Sequence, residues 1–197
     1  MRPLIDLPLQ SQYTDGGLMV TRNQGSLSGS VQLGDGVTVG SFPTRVRSYQ
    51  RGFGFNGNQY LELKTPIPNA TYTAMALLSR QSNVGSQVII DCRQSGGANV
   101  WYWDQPSNSL SSAGGTVYVN GEPNALANNM PYGQVVVAAA AGIVLSAPGS
   151  TVIGMRYTYT LPWIGNIHGF RLYSGTLTPT QIRDQGQYMM SRLNLNI

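Results

Sequence analysis

Near its C-terminal end the chain reads Gly165-Asn-Ile-His-Gly-Phe-Arg-Leu-Tyr173, followed by Leu177-Thr-Pro-Thr-Gln-Ile182. The first segment is rich in apolar and aromatic residues, which predicts a strand. The second predicts the start of a helix, because Thr178 is a good capping residue and Pro179 fits the first turn. The helix is predicted near residues 179–192, from the helical spacing of Ile182, Gln185, Met189 and Leu193.

Upstream, short apolar segments alternate with turn residues, which predicts about a dozen strands at the spacing of a β-sandwich. Two Asn-Gly pairs, Asn56-Gly57 and Asn120-Gly121, lie between such segments. Both residues of such a pair accept the positive φ angles of a type I′ turn, so each pair predicts a hairpin. Residues 25–36, rich in Gly and Ser, are interpreted as a long loop within one domain. The core is expected to contain Phe55, Leu61, Val117, Val119, Ile153, Phe170 and Leu172.

Length and composition agree with one domain. A chain of 197 residues, of which 41% are hydrophobic, is long enough to bury a single core. Only 10% of the residues are charged, whereas 24 glycines and 11 prolines supply turns. A weakly charged, turn-rich chain favours short strands over a helical bundle or a disordered chain. We therefore predict a single all-β domain over residues 1–197.

Charge and cysteine usage exclude several function classes. The net charge of +4 comes from scattered arginines, and Lys64 is the only lysine. Without a basic cluster, the sequence does not predict nucleic-acid binding. Cys92 is the only cysteine, so no disulfide forms within the chain, and it is interpreted as a small buried apolar residue. No apolar run is long enough to span a membrane, and no export signal is recognised at the N-terminus.

The sequence resembles laminin G-like domains of the concanavalin A-like superfamily in five segments, which occur in the family's order over most of the chain. These segments are Phe55-Asn-Gly57 with Gln59-Tyr-Leu-Glu-Leu63, Val117-Tyr-Val-Asn-Gly121, Val152-Ile-Gly154, Gly165-Asn-Ile-His-Gly-Phe-Arg-Leu-Tyr173 and Leu177-Thr-Pro-Thr-Gln-Ile182. The resemblance implies a jelly-roll sandwich of two antiparallel sheets, with the short C-terminal helix covering an open sheet edge. Two positions depart from the family, since Ala74-Met-Ala-Leu-Leu78 lacks a tryptophan and His168 stands where relatives often have an acidic residue.

Some members of the superfamily hydrolyse polysaccharides with two glutamates and an aspartate that alternate on one strand. Here Glu62 and Glu122 lie in separate segments, each after an Asn-Gly turn, where they are interpreted as solvated charges. Glycoside hydrolysis needs a pair of carboxyl groups across the scissile bond. Nothing in the sequence brings Asp91 and Asp104 together. We therefore expect that the protein is not an enzyme and predict no catalytic residue.

The sequence predicts no metal site and no cofactor. His168 is the only histidine and is interpreted as a structural residue of its strand. Calcium sites are common in the superfamily, but the eight acidic residues here are spread along the chain and give no support for one. Each glycine cluster lies among strands, so no phosphate-binding loop is predicted.

Aromatic residues are the remaining candidates for a binding surface. Trp101 and Trp103 share one face of a strand, and a core position is favoured for both, although Trp103 stays a candidate contact residue. A second group lies in a loop-like segment near Pro162, where burial and contact with a sugar ring or protein partner are equally favoured. Its candidate partner-binding residues are Arg156, Tyr157, Tyr159 and Trp163.

These features, with the resemblance, favour a structural or binding protein on the surface of a bacteriophage virion, as a capsid decoration or tail-associated protein. Such a domain, without a recognised export signal, disulfide or membrane anchor, would reach the outside of a cell by assembly on a particle. Its expected partners are other capsid or tail proteins and host-surface glycans, and a homo-oligomer is compatible with this role. The alternative is an extracellular carbohydrate-binding module of a secreted or cell-surface bacterial protein, and a polysaccharide hydrolase or lyase is the weaker alternative.

Overall fold

The computed structural model of the protein describes most of the chain. The described residues are 1–8, 13–15, 18–27, 30–35, 37–38, 41–46, 52–82, 85–92, 100–104, 109–112, 114–123, 132–145, 150–156 and 158–192. Only the backbone is described for residues 13–15, 18–20, 22, 30, 45–46, 100, 102–104 and 109.

Eight strands form the first sheet. They are β1 (Ile5–Leu7), β5 (Thr44–Val46), β6 (Gly52–Asn56), β8 (Ala70–Arg80), β12 (Thr116–Val119), β13 (Glu122–Pro123), β14 (Val136–Leu145) and β16 (Ile164–Ser174). Their order in the sheet is β13-β12-β14-β8-β16-β6-β5, and β1 pairs with β16 beyond the end of β6. All of these pairings are antiparallel.

The other eight strands form the second sheet. They are β2 (Tyr13–Asp15), β3 (Leu18–Arg22), β4 (Ser30–Leu33), β7 (Leu61–Leu63), β9 (Gln87–Asp91), β10 (Val100–Asp104), β11 (Ser109–Ser112) and β15 (Thr151–Ile153). Their order is β11-β10-β9-β15-β7-β4-β3-β2, again with antiparallel pairing. Because β4 lies within residues 25–36, that segment is not one long loop, as the sequence had suggested.

The predicted fold class is confirmed, since the described residues form an all-β sandwich of two antiparallel sheets with one short C-terminal helix. The main core lies between the sheets and is built from alternate residues of each strand. The expected core residues Phe55, Leu61, Val117, Ile153, Phe170 and Leu172 are buried, and Val119 is partly buried against them.

Strand β16 occupies the middle of the first sheet and is buried on both faces. Ile167, Phe170 and Leu172 point into the main core. A bulge between Ile167 and Gly169 shifts the register, which places His168 at the irregular position. Beyond the bulge, Arg171 and Tyr173 are buried on the opposite face. A strand buried on both faces requires a further layer on the outside of the sheet.

The helix α1 (Pro179–Arg192) supplies that layer. Thr178 caps it as predicted, because its backbone N–H donates to Gln181 Oε1 at 2.9 Å and its hydroxyl accepts from the Gln181 backbone N–H at 3.3 Å. Ile182 and Met189 pack on the outward-facing residues of β8 and β14. Gly186 allows close approach, since a Cβ there would lie 3.0 Å from Val137 Cγ1.

The position of α1 corrects one expectation from the sequence. The helix covers the outer face of the first sheet and does not cover a sheet edge, because its apolar residues match the outward side chains of β8 and β14 in the middle of that sheet. Within the described ranges, no helix combines the length and apolarity that a membrane crossing requires.

A buried polar network also fixes α1 to the sheet. Arg171 donates from Nε to Asp6 Oδ1 and from Nη2 to Asp6 Oδ2, both at 3.0 Å. Arg192, at the end of the helix, donates to Asp6 Oδ2 at 3.1 Å. Gln185 Oε1 accepts from Tyr173 at 2.7 Å and from Arg171 at 3.2 Å. Burial disfavours the charged guanidinium, but the hydrogen bonds and charges of Asp6 and Tyr173 together outweigh this effect and raise the pKa of Arg171.

The two Asn-Gly pairs have different structures. Asn120-Gly121 forms the expected two-residue hairpin, with φ of 53° and 85°, between β12 and β13. Asn56-Gly57 does not, because β6 belongs to the first sheet and β7 to the second. There the Asn56 backbone N–H donates to Gln59 Oε1 at 2.6 Å, and the chain crosses between the sheets. The prediction of a first hairpin was therefore wrong.

Replacing Phe170 tests the position of β16 in the core. We expect Phe170→Ala to lower the free energy of unfolding by about 3–5 kcal/mol, because it removes a fully buried ring and leaves a cavity. Denaturant titration measures the change. Ser174→Ala, at the exposed end of the same strand, is the control and should change the free energy by less than about 0.5 kcal/mol. A loss below about 1 kcal/mol for Phe170→Ala would contradict this packing.

Replacing Asp6 tests the buried ion pair. Asp6→Asn should lower the free energy of unfolding by about 3–5 kcal/mol, because Arg171 would remain buried without its counter-charge. The double variant Asp6→Leu/Arg171→Met should recover much of that loss, since it removes both charges. Urea titrations of the two variants provide the comparison, and equal stabilities would show that burial of an unpaired charge is not the cause.

Candidate functional site

The outer face of the second sheet carries a row of four residues on adjacent strands. Glu62 of β7 lies opposite Gln32 of β4 on one side and Val152 of β15 on the other. Val152 in turn lies opposite Asp91 of β9. Because their sequence neighbours point into the core, these residues point outward. This face therefore combines two carboxyl groups with apolar surface.

Three residues on this face form a small apolar cluster of their own. Tyr60, Val152 and Met155 pack together, separate from the main core. Tyr60 precedes β7 and points to the same side as Glu62, two residues further on. Small apolar clusters that are separate from the main core often lie under loops. Here Met155 belongs to a loop that follows β15.

The loop of residues 154–163 is closed by backbone hydrogen bonds. Trp163 N–H donates to Gly154 O at 2.8 Å, and Arg156 N–H donates to Thr160 O at 2.9 Å. Gly154 has a φ of 83°, and a Cβ there would lie 2.6 Å from the ring of Phe55. A side chain at position 154 would therefore disturb both the backbone and the core.

Tyr159 lies at the tip of this loop. It has a φ of 57° and Leu161 has a φ of 50°, which is a strained conformation for large side chains. The side chain of Tyr159 is 52% exposed, and its ring centroid lies 5.0 Å from that of Tyr60, with the planes tilted by 50°. Burial, together with the neighbouring Tyr159 and Glu62, raises the pKa of Tyr60 to about 12. The two rings therefore form a tyrosine pair in which Tyr60 is buried and Tyr159 is exposed to solvent.

Glu62 is not the solvated charge that the sequence suggested. Its side chain is only 4% exposed, because it lies within the outer face beside Tyr60 and Val152. Lys64 neutralises it, with Nζ 2.6 Å from Oε2, and the lysine side chain itself is 60% exposed. Glu122 does match its prediction, since it is exposed in the hairpin of the first sheet and lies 3.7 Å from Arg183.

The loop that contains Asp35 lies near the tyrosine pair, and the negative charge of Asp35 contributes to the raised pKa of Tyr60. Asp35 Oδ1 accepts hydrogen bonds from the backbone N–H groups of Val37 at 2.9 Å and Thr38 at 2.6 Å, and from the Ser41 hydroxyl at 2.9 Å. Bonding to Thr38 and Val37 holds the pKa of Asp35 well below its usual range. The carboxylate therefore organises its own loop.

The predicted site residues have different outcomes. Tyr159 is exposed as a contact residue requires, and Arg156 is partly exposed in the same loop. Trp163 is fully buried in the main core, so its assignment as a contact residue was wrong. It follows the loop and enters the sandwich where β16 begins. Tyr157 lies outside the described residues, and Trp103 is placed on β10 with its side chain outside the description.

Two further expectations concern Trp101 of β10 and the distance between Asp91 of β9 and Asp104 of β10. Trp101 is fully buried, as favoured from the sequence. Asp91 lies opposite Val100 at one end of β10, whereas Asp104 lies opposite Ser109 at the other end. Four residues of extended strand separate the two ends by about 13 Å. Folding therefore does not bring Asp91 and Asp104 together.

Tyr60 and Lys64 also belong to this site, although neither was predicted from the sequence. The signal was the alternation Tyr60-Glu62-Lys64, which places three polar or aromatic side chains on one face of a strand. Their pairing with Tyr159 was not readable, because a loop almost a hundred residues later supplies that ring.

Metal-binding groups do not cluster in the described residues, where no three of His, Cys, Asp and Glu side chains come together. His168 is fully buried at the bulge of β16, as a structural histidine would be.

Comparison with known proteins identifies the fold. No protein-family model and no curated protein matches the chain. Among solved structures, it is similar to domain 4 of AbnA, a GH43 extracellular arabinanase from Geobacillus stearothermophilus, in complex with arabinotriose. The TM-score is 0.61 at 15% identity, covering 94% of this chain and 98% of that one.

Two larger proteins contain a similar unit. Trypanosoma rangeli sialidase, in complex with 2,3-difluorosialic acid, gives a TM-score of 0.57 at 13% identity, covering 96% of this chain and 33% of the sialidase. The botulinum neurotoxin serotype D binding domain gives 0.50 at 10% identity, with 97% and 53% covered. The chain thus spans a third of the sialidase and about half of the toxin domain. At such identities the likeness establishes a shared β-sandwich fold.

The environment of Cys92 generates a chemical prediction. The thiol is buried, 3.6 Å from the Thr151 hydroxyl, and burial raises its pKa to about 12. Because the thiolate is the reactive form, we expect no reaction with a disulfide reagent at pH 8 in the folded protein. One equivalent should react after denaturation in guanidinium chloride, as measured by absorbance of the released thiol. Rapid reaction in the folded state would contradict this burial.

Proposed function

We propose that this protein is a non-enzymatic glycan-binding domain that recognises sugars on the outer face of its second sheet. The observation that carries the proposal is the tyrosine pair of Tyr60 and Tyr159, which presents a half-exposed ring beside polar side chains. An aromatic ring offers an apolar face for the C–H surface of a sugar, while its hydroxyl group bonds to sugar hydroxyls. Few, well-placed polar groups around such a ring then provide specificity.

The backbone of the tyrosine loop supports this assignment. Tyr159 and Leu161 both hold left-handed conformations that cost free energy, of order 1–3 kcal/mol each. Strained residues of this kind persist where the surrounding structure enforces them, and they cluster at ligand sites. The hydrogen bonds that close the loop hold Tyr159 in place before any ligand arrives. Such preorganisation reduces the entropy lost on binding.

Structural neighbours add support of a weaker kind. The arabinanase domain similar to nearly the whole chain was solved with arabinotriose, and the sialidase was solved with a sialic acid derivative. These ligands belong to those proteins. They support an oligosaccharide as the first class of ligand to test on the present fold.

The absence of enzymatic activity is part of the proposal. Glu62 and Glu122 belong to different sheets and do not form a pair. Glu62 and Asp91 share one face, but β15 lies between their strands, and Glu62 is held by Lys64. A general acid and a nucleophile would both need access to the scissile bond, whereas both of these carboxyl groups are buried.

For the biological setting we propose a bacteriophage virion, with the domain displayed on the head or tail and binding host-surface glycans. The low charge, the abundance of turn residues and the resemblance to laminin G-like domains support this setting. A carbohydrate-binding module of a secreted or cell-surface protein is the alternative. Association with purified phage particles in an immunoblot favours the first, and secretion of the protein by a bacterium favours the second.

Glycan binding is tested through Tyr159. On a glycan array, Tyr159→Ala should weaken binding by at least about 30-fold, equivalent to about 2 kcal/mol for one true anchor. Tyr132→Ala is the matched control, because Tyr132 is similarly exposed but lies beside Arg80 at the end of β8. Equal binding by both variants and the wild-type protein would exclude the tyrosine pair as the site.

Catalysis is tested separately. We expect no release of reducing sugar from a panel of polysaccharides, including those that the array shows to bind. Turnover that Glu62→Gln or Asp91→Asn abolishes would replace this proposal with the hydrolase alternative. Residual turnover insensitive to both substitutions would indicate a contaminating enzyme.

A further inference from the structure

Tyr60, Glu62 and Lys64 form a line along the outer face of the second sheet. Leu61 and Leu63, between them, point into the main core. Each alternate residue therefore points outward, and the line from Tyr60 to Lys64 is about 13 Å long at the rise of an extended strand. Tyr159 packs on the Tyr60 end of the line. This length exceeds one monosaccharide ring.

The Lys64 end of the line is an ion pair with unequal exposure. The carboxylate of Glu62 is almost fully buried and the side chain of Lys64 is mostly exposed, with 2.6 Å between Nζ and Oε2. The buried partner restrains the lysine, which otherwise would sample many rotamers. One of the three ammonium donors binds Glu62, so the others are directed to whatever approaches from solvent. The pair thus holds a hydrogen-bond donor at a fixed distance from the tyrosine pair.

Charges of both signs lie around the line. Glu62 and Lys64 neutralise each other, Asp35 adds a negative charge near Tyr60, and Arg156 adds a positive charge in the loop of Tyr159. Asp91, on the same face as Glu62, adds a second negative charge. A ligand with high charge of either sign gains little from such a surface. A neutral sugar hydroxyl can accept a hydrogen bond from the Lys64 ammonium without needing a net charge on the surface. Hydrogen bonds to charged groups are also stronger than those between neutral groups.

We propose that this line is an extended subsite for a neutral oligosaccharide of more than one sugar unit, and that Lys64 determines its specificity. The first sugar stacks on the exposed ring of Tyr159, which packs against the buried ring of Tyr60, and a hydroxyl of a later sugar accepts a hydrogen bond from Lys64. This inference rests on the proposed glycan-binding function and adds the length and charge class of the ligand.

The single lysine permits a direct test. Expression with lysine labelled with ¹³C at the ε-carbon labels Lys64 alone and keeps all three ammonium donors, so its ε-methylene signal can be followed by NMR. The probes are maltotriose, xylotriose and galactotriose, their monosaccharides, and trigalacturonate as the acidic probe. We expect the Lys64 ε-methylene signal to shift with a neutral trisaccharide and not with its monosaccharide. A shift of that signal only with trigalacturonate would overturn the proposal.

Affinities of unlabelled variants complete the test. Lys64→Gln should weaken binding of the neutral trisaccharide about tenfold, as expected for loss of one hydrogen bond to a charged group, and should lower the ratio of trisaccharide to monosaccharide affinity. Lys64→Arg keeps the ion pair and a donor, so it should retain most of the ratio. The melting temperature of each variant shows whether it folds. Because Lys64→Gln leaves Glu62 unpaired, the labelling experiment provides the result that does not depend on that variant.

The outcomes separate this inference from the function on which it rests. If Tyr159→Ala abolishes trisaccharide binding while Lys64→Gln leaves it unchanged, the glycan-binding function stands and the role of Lys64 is wrong. If no sugar binds the wild-type protein, the proposed function fails and this inference fails with it.

Discussion

The carboxylate of Asp6 neutralises a guanidinium that is buried between the first sheet and the helix. Arg171 lies buried on the outer face of β16, beneath the helix, and an unpaired charge there would be strongly destabilising. Two hydrogen bonds to Asp6 place β1 against β16, and Arg192 extends the same network to the end of α1. The first strand, the last strand and the helix are thus joined by one ion pair. Together with the apolar contacts of Ile182 and Met189, this ion pair holds the helix on the first sheet.

This arrangement determines which outer face can receive a ligand. The helix occupies the outer face of the first sheet, where Ile182 and Met189 bury the outward residues of β8 and β14. On the second sheet, the corresponding face carries the small cluster around Tyr60 and the loop that presents Tyr159. The two sheets therefore have different tasks in our proposal. The first stabilises the domain, and the second presents a rigid aromatic and polar surface on its outside.

The candidate site has an aromatic part and a polar part, and a different structural feature restrains each of them. Its aromatic part is held in a strained backbone, with left-handed Tyr159 and Leu161 secured by hydrogen bonds inside the loop. Its polar part is held by a buried carboxylate, because Glu62 restrains the exposed Lys64. Both devices reduce the freedom of a side chain that would otherwise be mobile at the surface. Neither creates a large net charge, which agrees with the low content of charged residues in the chain as a whole.

Local patterns in the sequence determined the fold class, most of the core and the helix from Pro179 to Arg192. Capping, alternation and turn chemistry act over a few residues, so they can be read directly from Thr178, Phe170 or Asn120-Gly121. Only the tertiary structure decided the rest. Asn56-Gly57 joins two sheets instead of two paired strands, because β6 pairs with β5 and β16 in the first sheet, whereas β7 pairs with β4 and β15 in the second. Trp163 lies in the core while Tyr159 remains exposed, although both belong to one aromatic loop. Glu62 is buried and Tyr60 meets Tyr159 because distant strands bring them to one face, and contacts of such long range leave no periodic signal in the sequence.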